Sequence, residues 1–382
     1  MESCLSVQDN GRSGIICTMS FYDEVGVRPF INAGGWMFTR YGGTIMSDVV
    51  LAAMADASKR FVNLFDLQDQ VGHAIAVLTQ NEAAFVSCGA ASGMLLCAAA
   101  AIAGADAEKA ARLPDSDGLR NQFIMRSCER GTEADSVIRA AGGRIVFVGP
   151  TDRGAAPDEV FAAVNEQTAG IVLVVLEPDG QARAATVIAG AHERGIPVII
   201  DGACALPPKK NLWHYTRDLG ADALVTSGGK AIHGPQSTGL VLGRSWIVEA
   251  CKFHASPNLR IGRGMKVGKE EFAGIYTALK RYLDADEKAV ASREQKILAS
   301  IADRLKGLPG ARISLADGPE LQIKLDPAVV PLNTEQIAAT LFNTDPSILL
   351  SGRGDRITIH ANQLQDGEEQ IIADRLQQVL TT

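Results

Sequence analysis

Between residues 83 and 242 the chain alternates short apolar runs with helical patterns, and nothing else in the sequence constrains the fold as tightly. The runs are Ala83–Ser87, Phe123–Arg126, Arg144–Val148, Ile171–Leu176, Pro197–Asp201, Ala223–Ser227 and Thr238–Leu242. They are rich in β-branched residues and lack the apolar–polar alternation of a sheet with one wet face, as in Ile171-Val172-Leu173-Val174-Val175. Buried strands separated by helices imply a mainly parallel sheet, because each crossover helix must lie over the sheet and cover a face of it. The expected fold class is therefore α/β, with seven strands in the large domain.

Two helices are expected before the sheet, Met46–Phe61 and Leu67–Leu78, and Lys269–Leu305 follows it as one long helix or two. The remainder has the pattern of a small α+β unit. Strands near Leu321–Leu325 and Ile357–His360 flank a helix near Thr334–Phe342, and Gly367–Leu380 closes the chain. The expected division is a disordered N-terminal extension over residues 1–20, a large domain with an N-terminal helical segment over 21–270, connecting helices over 271–307, and a small C-terminal domain over 308–382. The apolar stretch Ile15-Ile16-Cys17 is too short for a secretory signal, and Met19 is an alternative start. A chain of 382 residues has ample length for such a two-domain plan.

A net charge of −7 argues against sustained contact with nucleic acid or an anionic membrane, and no run of about 18 apolar residues suggests a membrane span. The seven cysteines (4, 17, 88, 97, 128, 204 and 251) form no C-x-x-C pair. That pattern suggests reduced thiols and a cytoplasmic protein, most of the cysteines serving as small core residues. Cys128, among polar neighbours, is the one kept as a site candidate. Six scattered histidines show no metal-ligand spacing, so no metal is expected. The sequence lacks a G-x-G-x-x-G turn and a G-x-S-x-G elbow, and Gly268-Lys269 is followed by Glu270 rather than a P-loop Ser or Thr.

Three segments carry chemistry. In Ser87-Cys88-Gly89-Ala90-Ala91-Ser92-Gly93, small residues between a strand and an apolar helix allow close approach of a phosphate to exposed N–H groups. The same residues also suit a plain tight turn. Asp201 ends a buried strand and is followed by Gly202-Ala203, at the sheet edge where α/β proteins bind ligands. A helix cap or turn is the alternative. Lys230 follows another buried strand through Ser227-Gly228-Gly229. Lysines mostly sit on solvated faces, but partial desolvation here favours the neutral amine that a Schiff base requires. Together the segments supply a phosphate anchor (Gly89, Ala90, Ala91 and Ser92, with Ser227 adding a hydroxyl), a carboxylate for a pyridine nitrogen (Asp201, beside Ala203) and an amine (Lys230). Those are the parts that pyridoxal 5'-phosphate (PLP) needs.

The ordered set resembles fold-type-I PLP enzymes. Ser227-Gly228-Gly229-Lys230 with Gly234-Pro235-Gln236 is similar to the lysine segment of bacterial selenocysteine synthase and its smaller relatives. Ile31-Asn32-Ala33-Gly34-Gly35, then Phe61-Val62-Asn63-Leu64, resembles the opening of D-glucosaminate-6-phosphate ammonia-lyases. The resemblance runs over roughly residues 25–380. It implies an aspartate-aminotransferase-like fold with a large PLP domain and a small domain, and a homodimer or an assembly of dimers. Two departures stand out. Gly229 replaces the family's Asp before the lysine, and the segment Cys128–Arg130 lacks the His that in small relatives can lie over the cofactor ring. The tRNA-binding region of selenocysteine synthase has no counterpart before the cofactor domain, which with the acidic charge argues against tRNA-linked selenium chemistry.

Around this core, His233 is a candidate proton carrier or a supporting histidine. Arg356 is a candidate for the substrate carboxylate, since related enzymes often use a small-domain Arg, and an exposed strand-end Arg is the alternative. Arg263, with Arg260 and Lys266 in the loop Ala255–Val267, suits an anionic substrate group. Trp36, Thr39 and Arg40 are placed at the site's edge, Thr39 as a substrate neighbour. The expected activity is α,β-elimination of the ammonia-lyase or dehydratase type on a small amino acid or amino sugar acid, possibly phosphorylated, with Lys230, Asp201 and His233 as catalytic residues. The alternatives are a PLP aminotransferase, racemase or aldolase, and a PLP-fold binding or regulatory protein without catalysis.

Overall fold

The computed structural model describes residues 3–9, 12–18, 20–175, 180–316 and 318–381, with the backbone alone for residues 3–18, 133 and 180–182. All seven expected runs are strands of one sheet. Its spatial order is Ala83–Ser87, Gly239–Gly243, Ala223–Ser227, Val198–Asp201, Thr168–Val174, Gln122–Arg126 and Arg144–Val148. Leu176, the last residue expected in the fifth of these, lies outside the described residues. Gly239–Gly243 runs antiparallel to both its neighbours, and every other pairing in the sheet is parallel. One antiparallel strand thus sits inside a parallel sheet, as the connection after Lys230 is too short for a crossover helix.

Helices cover both faces, which is why the strands carry so little polar alternation. One face packs Ile171, Ile200, Leu224 and Leu240 against Tyr215 and the helix Lys269–Asp284. The other packs Val172, Ile199, Val225 and Val241 against the helix Gly89–Ala103. Val, Ile and Leu side chains buried to this degree each contribute about 1.5–3 kcal/mol. The helix Gly89–Ala103 is buried along almost its whole length, which fixes its first turn against the strand ends.

The chain divides into two compact units, residues 37–285 and a second formed by the N-terminal residues to Trp36 with 286–382. The first holds the sheet. In the second, a four-stranded sheet of Ala311–Leu315, Glu320–Leu325, Arg356–His360 and Ser351–Arg353 packs against the helices Glu287–Leu305, Thr334–Asn343 and Glu368–Thr381. Strand Ile31–Asn32 joins this unit by pairing in parallel with Ile348–Leu349, and Arg28 donates to the Phe342 and Asn343 carbonyls. The helical stretch after the large sheet is two helices, Lys269–Asp284 and Glu287–Leu305, separated where Asp286 caps the second through Lys288 N–H. Strands Ser3–Asp9 and Arg12–Thr18 pair antiparallel. The expectation of a disordered extension over residues 1–20 falls on this segment, of which residues 1, 2, 10, 11 and 19 lie outside the described ones. No described helix is long and apolar enough to cross a membrane.

Candidate active site

Three strands of the residue 37–285 unit end at one edge of its sheet. Gly239 pairs with Ser87 on one side and Ser227 on the other, while Asp201 pairs with Val174 and Val225. Ser87, Asp201 and Ser227 therefore mark carboxyl ends at the same edge of the sheet, the usual ligand position of an open α/β sheet.

The helix Gly89–Ala103 begins two residues beyond Ser87, and its capping residue Cys88 makes no side-chain hydrogen bond to it. The Ser87 and Ser92 hydroxyls both donate to the Gly89 carbonyl (2.8 and 3.1 Å), holding the turn without occupying the helix N–H groups. Gly89 has φ of +80° with open space where a Cβ would be, whereas a Cβ on Gly239 would lie 2.5 Å from the Gly89 carbonyl carbon. The absence of a side chain at Gly239 lets the helix start sit directly over the strand. Burial, reinforced by the Glu271 carboxylate, pushes the Cys88 thiol up. The helix starts at Gly89, so the small residues that the sequence placed between strand and helix belong to the helix itself.

Asp201 is 6% exposed at the end of its strand. Its Oδ1 accepts the Ala203 N–H at 3.1 Å, and the Ala205 N–H donates to Gly202 O at 2.9 Å, so a tight turn leads from the carboxylate to Cys204.

Lys230 lies in a loop folded back on itself. Gly228 N–H donates to Thr238 O, Gly234 N–H to Gly228 O and His233 N–H to Lys230 O, each at 2.8 Å. A Cβ at Gly229 would lie 2.4 Å from Gln236 Cα, so the backbones at 229 and 236 leave no room for a side chain. Lys230 Nζ donates to Cys204 Sγ at 3.1 Å. His233 takes a left-handed conformation (φ +57°), which costs a non-glycine residue about 1 kcal/mol and is held here by the surrounding turn. Its Nδ1 lies 3.3 Å from Ile45 O, and burial holds the imidazole below the ordinary histidine range.

Residues 39–45 line this loop. Gln236 Nε2 donates to Thr39 O (2.8 Å) and Thr44 Oγ1 to Gly229 O (3.4 Å), so the backbone of Thr39 is brought beside the lysine loop. Arg40 instead lies over the Phe38 and Tyr41 rings. Arg263 belongs to the loop after helix Ser245–His254. Its N–H donates to Arg260 O, and no hydrogen bond among the described residues joins it to Lys230 or Asp201. Arg260 stacks on Phe253. Trp36 and Arg356 fall in the other unit, where the Arg356 guanidinium is exposed beside Asp355 and Gln322.

The segment Cys128–Arg130 supplies no side chain stacked over a ligand from Glu129 or Arg130. Glu129 is buried, accepting from Val174 N–H, Arg126 N–H and the Arg126 guanidinium, and Arg130 lies over the Phe147 ring. Cys128 is exposed. The site cysteine that sequence reasoning missed is Cys204. Its spacing of three from Asp201 was the available signal, but only the turn shows that it reaches Lys230.

The donor set fits PLP: a helix start without a side-chain cap, a buried carboxylate and a strand-end lysine lie along one edge of the sheet. A mainly parallel seven-stranded sheet carrying this set defines a fold-type-I PLP-dependent enzyme. The family described as aminotransferase class-V matches residues 133–342, and the chain belongs to it. It is 30% identical over 381 residues to a 5'-C-glycyluridine monooxygenase-decarboxylase of Streptomyces, covering 94% of this chain and 92% of that protein. It is 27% identical over 388 residues to a D-glucosaminate-6-phosphate ammonia lyase of Salmonella typhimurium, covering 95% and 98%. A solved structure of D-glucosaminate-6-phosphate ammonia-lyase superposes with a TM-score of 0.82 at 25% identity, over 95% of this chain and 98% of that one.

Proposed function

We propose that this PLP enzyme is a lyase that eliminates water across Cα–Cβ of a small β-hydroxy amino acid or amino sugar acid, phosphorylated or not, and releases ammonia. The single observation that carries the reading is the convergence of Lys230, Asp201 and the Gly89–Ser92 helix start at one sheet edge, in a chain that matches an ammonia lyase along its whole length. Bound PLP supplies the electron sink for a broken Cα bond.

The chain's own residues would act as follows. The N–H groups of Gly89–Ser92 would bind the phosphate, with the Ser227 hydroxyl at the neighbouring strand end, and Asp201, beside Ala203, would hold the pyridine nitrogen. Lys230 Nζ would hold the cofactor and, when free, would serve as the base at Cα. His233 is neutral near pH 7 because burial disfavours its charge, so with Nδ1 donating to Ile45 O its Nε2 takes up a proton rather than giving one. That supports the proton-carrier reading of His233. Arg263, Arg356 and Thr39 remain proposals for the substrate's acidic groups. Loss of water and hydrolytic release of the nitrogen balance to a keto acid plus ammonia.

Borohydride reduction of the holoenzyme followed by peptide mapping should place the pyridoxyl group on Lys230, and ammonia should accumulate over many turnovers without added keto acid. A reaction that stops after one turnover until a keto acid is supplied would establish an aminotransferase instead. The similarity to a monooxygenase-decarboxylase favours a second reading, oxidative decarboxylation of a glycyl-type substrate. Oxygen uptake with carbon dioxide release would decide for it.

The substrate is a small molecule, and the described cysteines are free, which supports a cytoplasmic setting. A homodimer, or an assembly of dimers, is supported by apolar side chains left in solvent on the sheet unit: Phe61 and Leu259 are fully or largely exposed, with Val62 and Phe65 half exposed.

A further inference from the structure

We propose that Cys204 is the proton partner of Lys230, an inference that rests on the assignment of Lys230 as the cofactor lysine. Of the five free cysteines described, Cys97 and Cys251 are buried against each other, Cys88 is half-buried and Cys128 is exposed on a separate strand end. Cys204 alone among them contacts a lysine amine, at 3.1 Å.

The contact follows from how both loops are built. The Asp201 carboxylate holds Ala203 N–H and Gly202 O holds Ala205 N–H, so the turn that carries the pyridine partner also aims Cys204 out of the sheet edge. From the adjacent strand, the 228–238 hydrogen bonds fix the base of Lys230. Asp201 and Cys204 thus address the two ends of the same reacting system from one turn.

A thiol next to the lysine nitrogen exchanges one proton with it and needs no oxidant. It takes a proton from Nζ and returns it, and the transfer to sulfur leaves Nζ with the lone pair required to act as a base. Sulfur also orients Nζ by accepting its N–H. Ala at this position removes both effects. Ser keeps a donor and an acceptor.

The test compares wild-type, Cys204→Ala and Cys204→Ser holoenzymes. Borohydride mapping should place the label on Lys230 in all three; a label elsewhere would overturn the lysine assignment and this inference with it. With Lys230 labelled, the pH midpoint of the bound cofactor's absorbance should fall by about one unit in Cys204→Ala and by less in Cys204→Ser. On whichever substrate turns over, kcat should fall about tenfold with KM nearly unchanged. Alkylation of Cys204 in the native holoenzyme with iodoacetamide should shift the same midpoint without any substitution. Lys230 labelling accompanied by a wild-type midpoint and wild-type kcat in Cys204→Ala would make Cys204 a bystander and leave the lysine assignment standing.

Discussion

Asp201 and Glu129 are both buried carboxylates at strand ends of the same sheet, yet only their partners tell them apart. Glu129 is consumed by Arg126 and by Val174 N–H, stapling two strands. Asp201 ends at the sheet edge shared with Lys230. Replacing Asp201 by Ala should leave cofactor bound through the phosphate turn and Lys230, while lowering turnover about 10²-fold, the consequence of losing one charged hydrogen bond worth up to about 3 kcal/mol. Equilibrium dialysis for PLP and steady-state rates would check this, and an unimpaired Asp201→Ala enzyme would remove Asp201 from the mechanism. Cys204 shows the opposite case at this scale, since composition grouped it with core cysteines and a three-residue turn put it on the Lys230 amine.

At the scale of elements, the helix Gly89–Ala103 is core along most of its length, and its first turn, without a side-chain cap, is the proposed phosphate site. Ala91 is exposed in that turn, so Ala91→Glu separates the two roles. A carboxylate in the first turn should raise apoprotein stability by about 0.3–1 kcal/mol through the helix dipole. The same charge repels phosphate, and PLP affinity should fall about tenfold or more. Thermal melting of apoprotein and a PLP titration measure the two signs, and parallel changes would refute the assignment of this turn to the phosphate. The seven strands were legible because β-branched runs buried on both faces need no partner information to be recognised. The strand Ala311–Leu315 escaped because its residues are largely exposed and carry no such run.

Across the whole molecule, three histidines resist charging for the same reason. Burial lowers His233 and His254 in the sheet unit and His360 in the other, with the Glu320 carboxylate opposing it at His360. Their folded-state values lie below the unfolded value of about 6.5, so the unfolded chain binds more protons as pH falls. The stability present above pH 6.5 should therefore decline as pH drops through 6.5 toward the folded-state values. Melting temperatures at stepped pH should fall on that side and be flat between about pH 7 and 8, with a shallower fall in His254→Gln. At the same scale, light scattering should give a dimer or larger, because a monomer would leave Phe61 and Leu259 in water.

The sequence alone determined the sheet, the helices over it and the three strand-end groups, because each rests on local patterning: buried β-branched runs, small residues before a helix, and a lysine behind two glycines. It also carried the resemblance from which PLP chemistry was expected. What only the tertiary structure decided is which side chains meet. Strand Ile31–Asn32 pairs with Ile348–Leu349 across more than three hundred residues, Gly229 has no side chain because Gln236 passes over it, and Cys204 reaches Lys230 from the next strand. Pairings of that kind depend on register and turn geometry between segments distant in the chain, and no local pattern of residues encodes them.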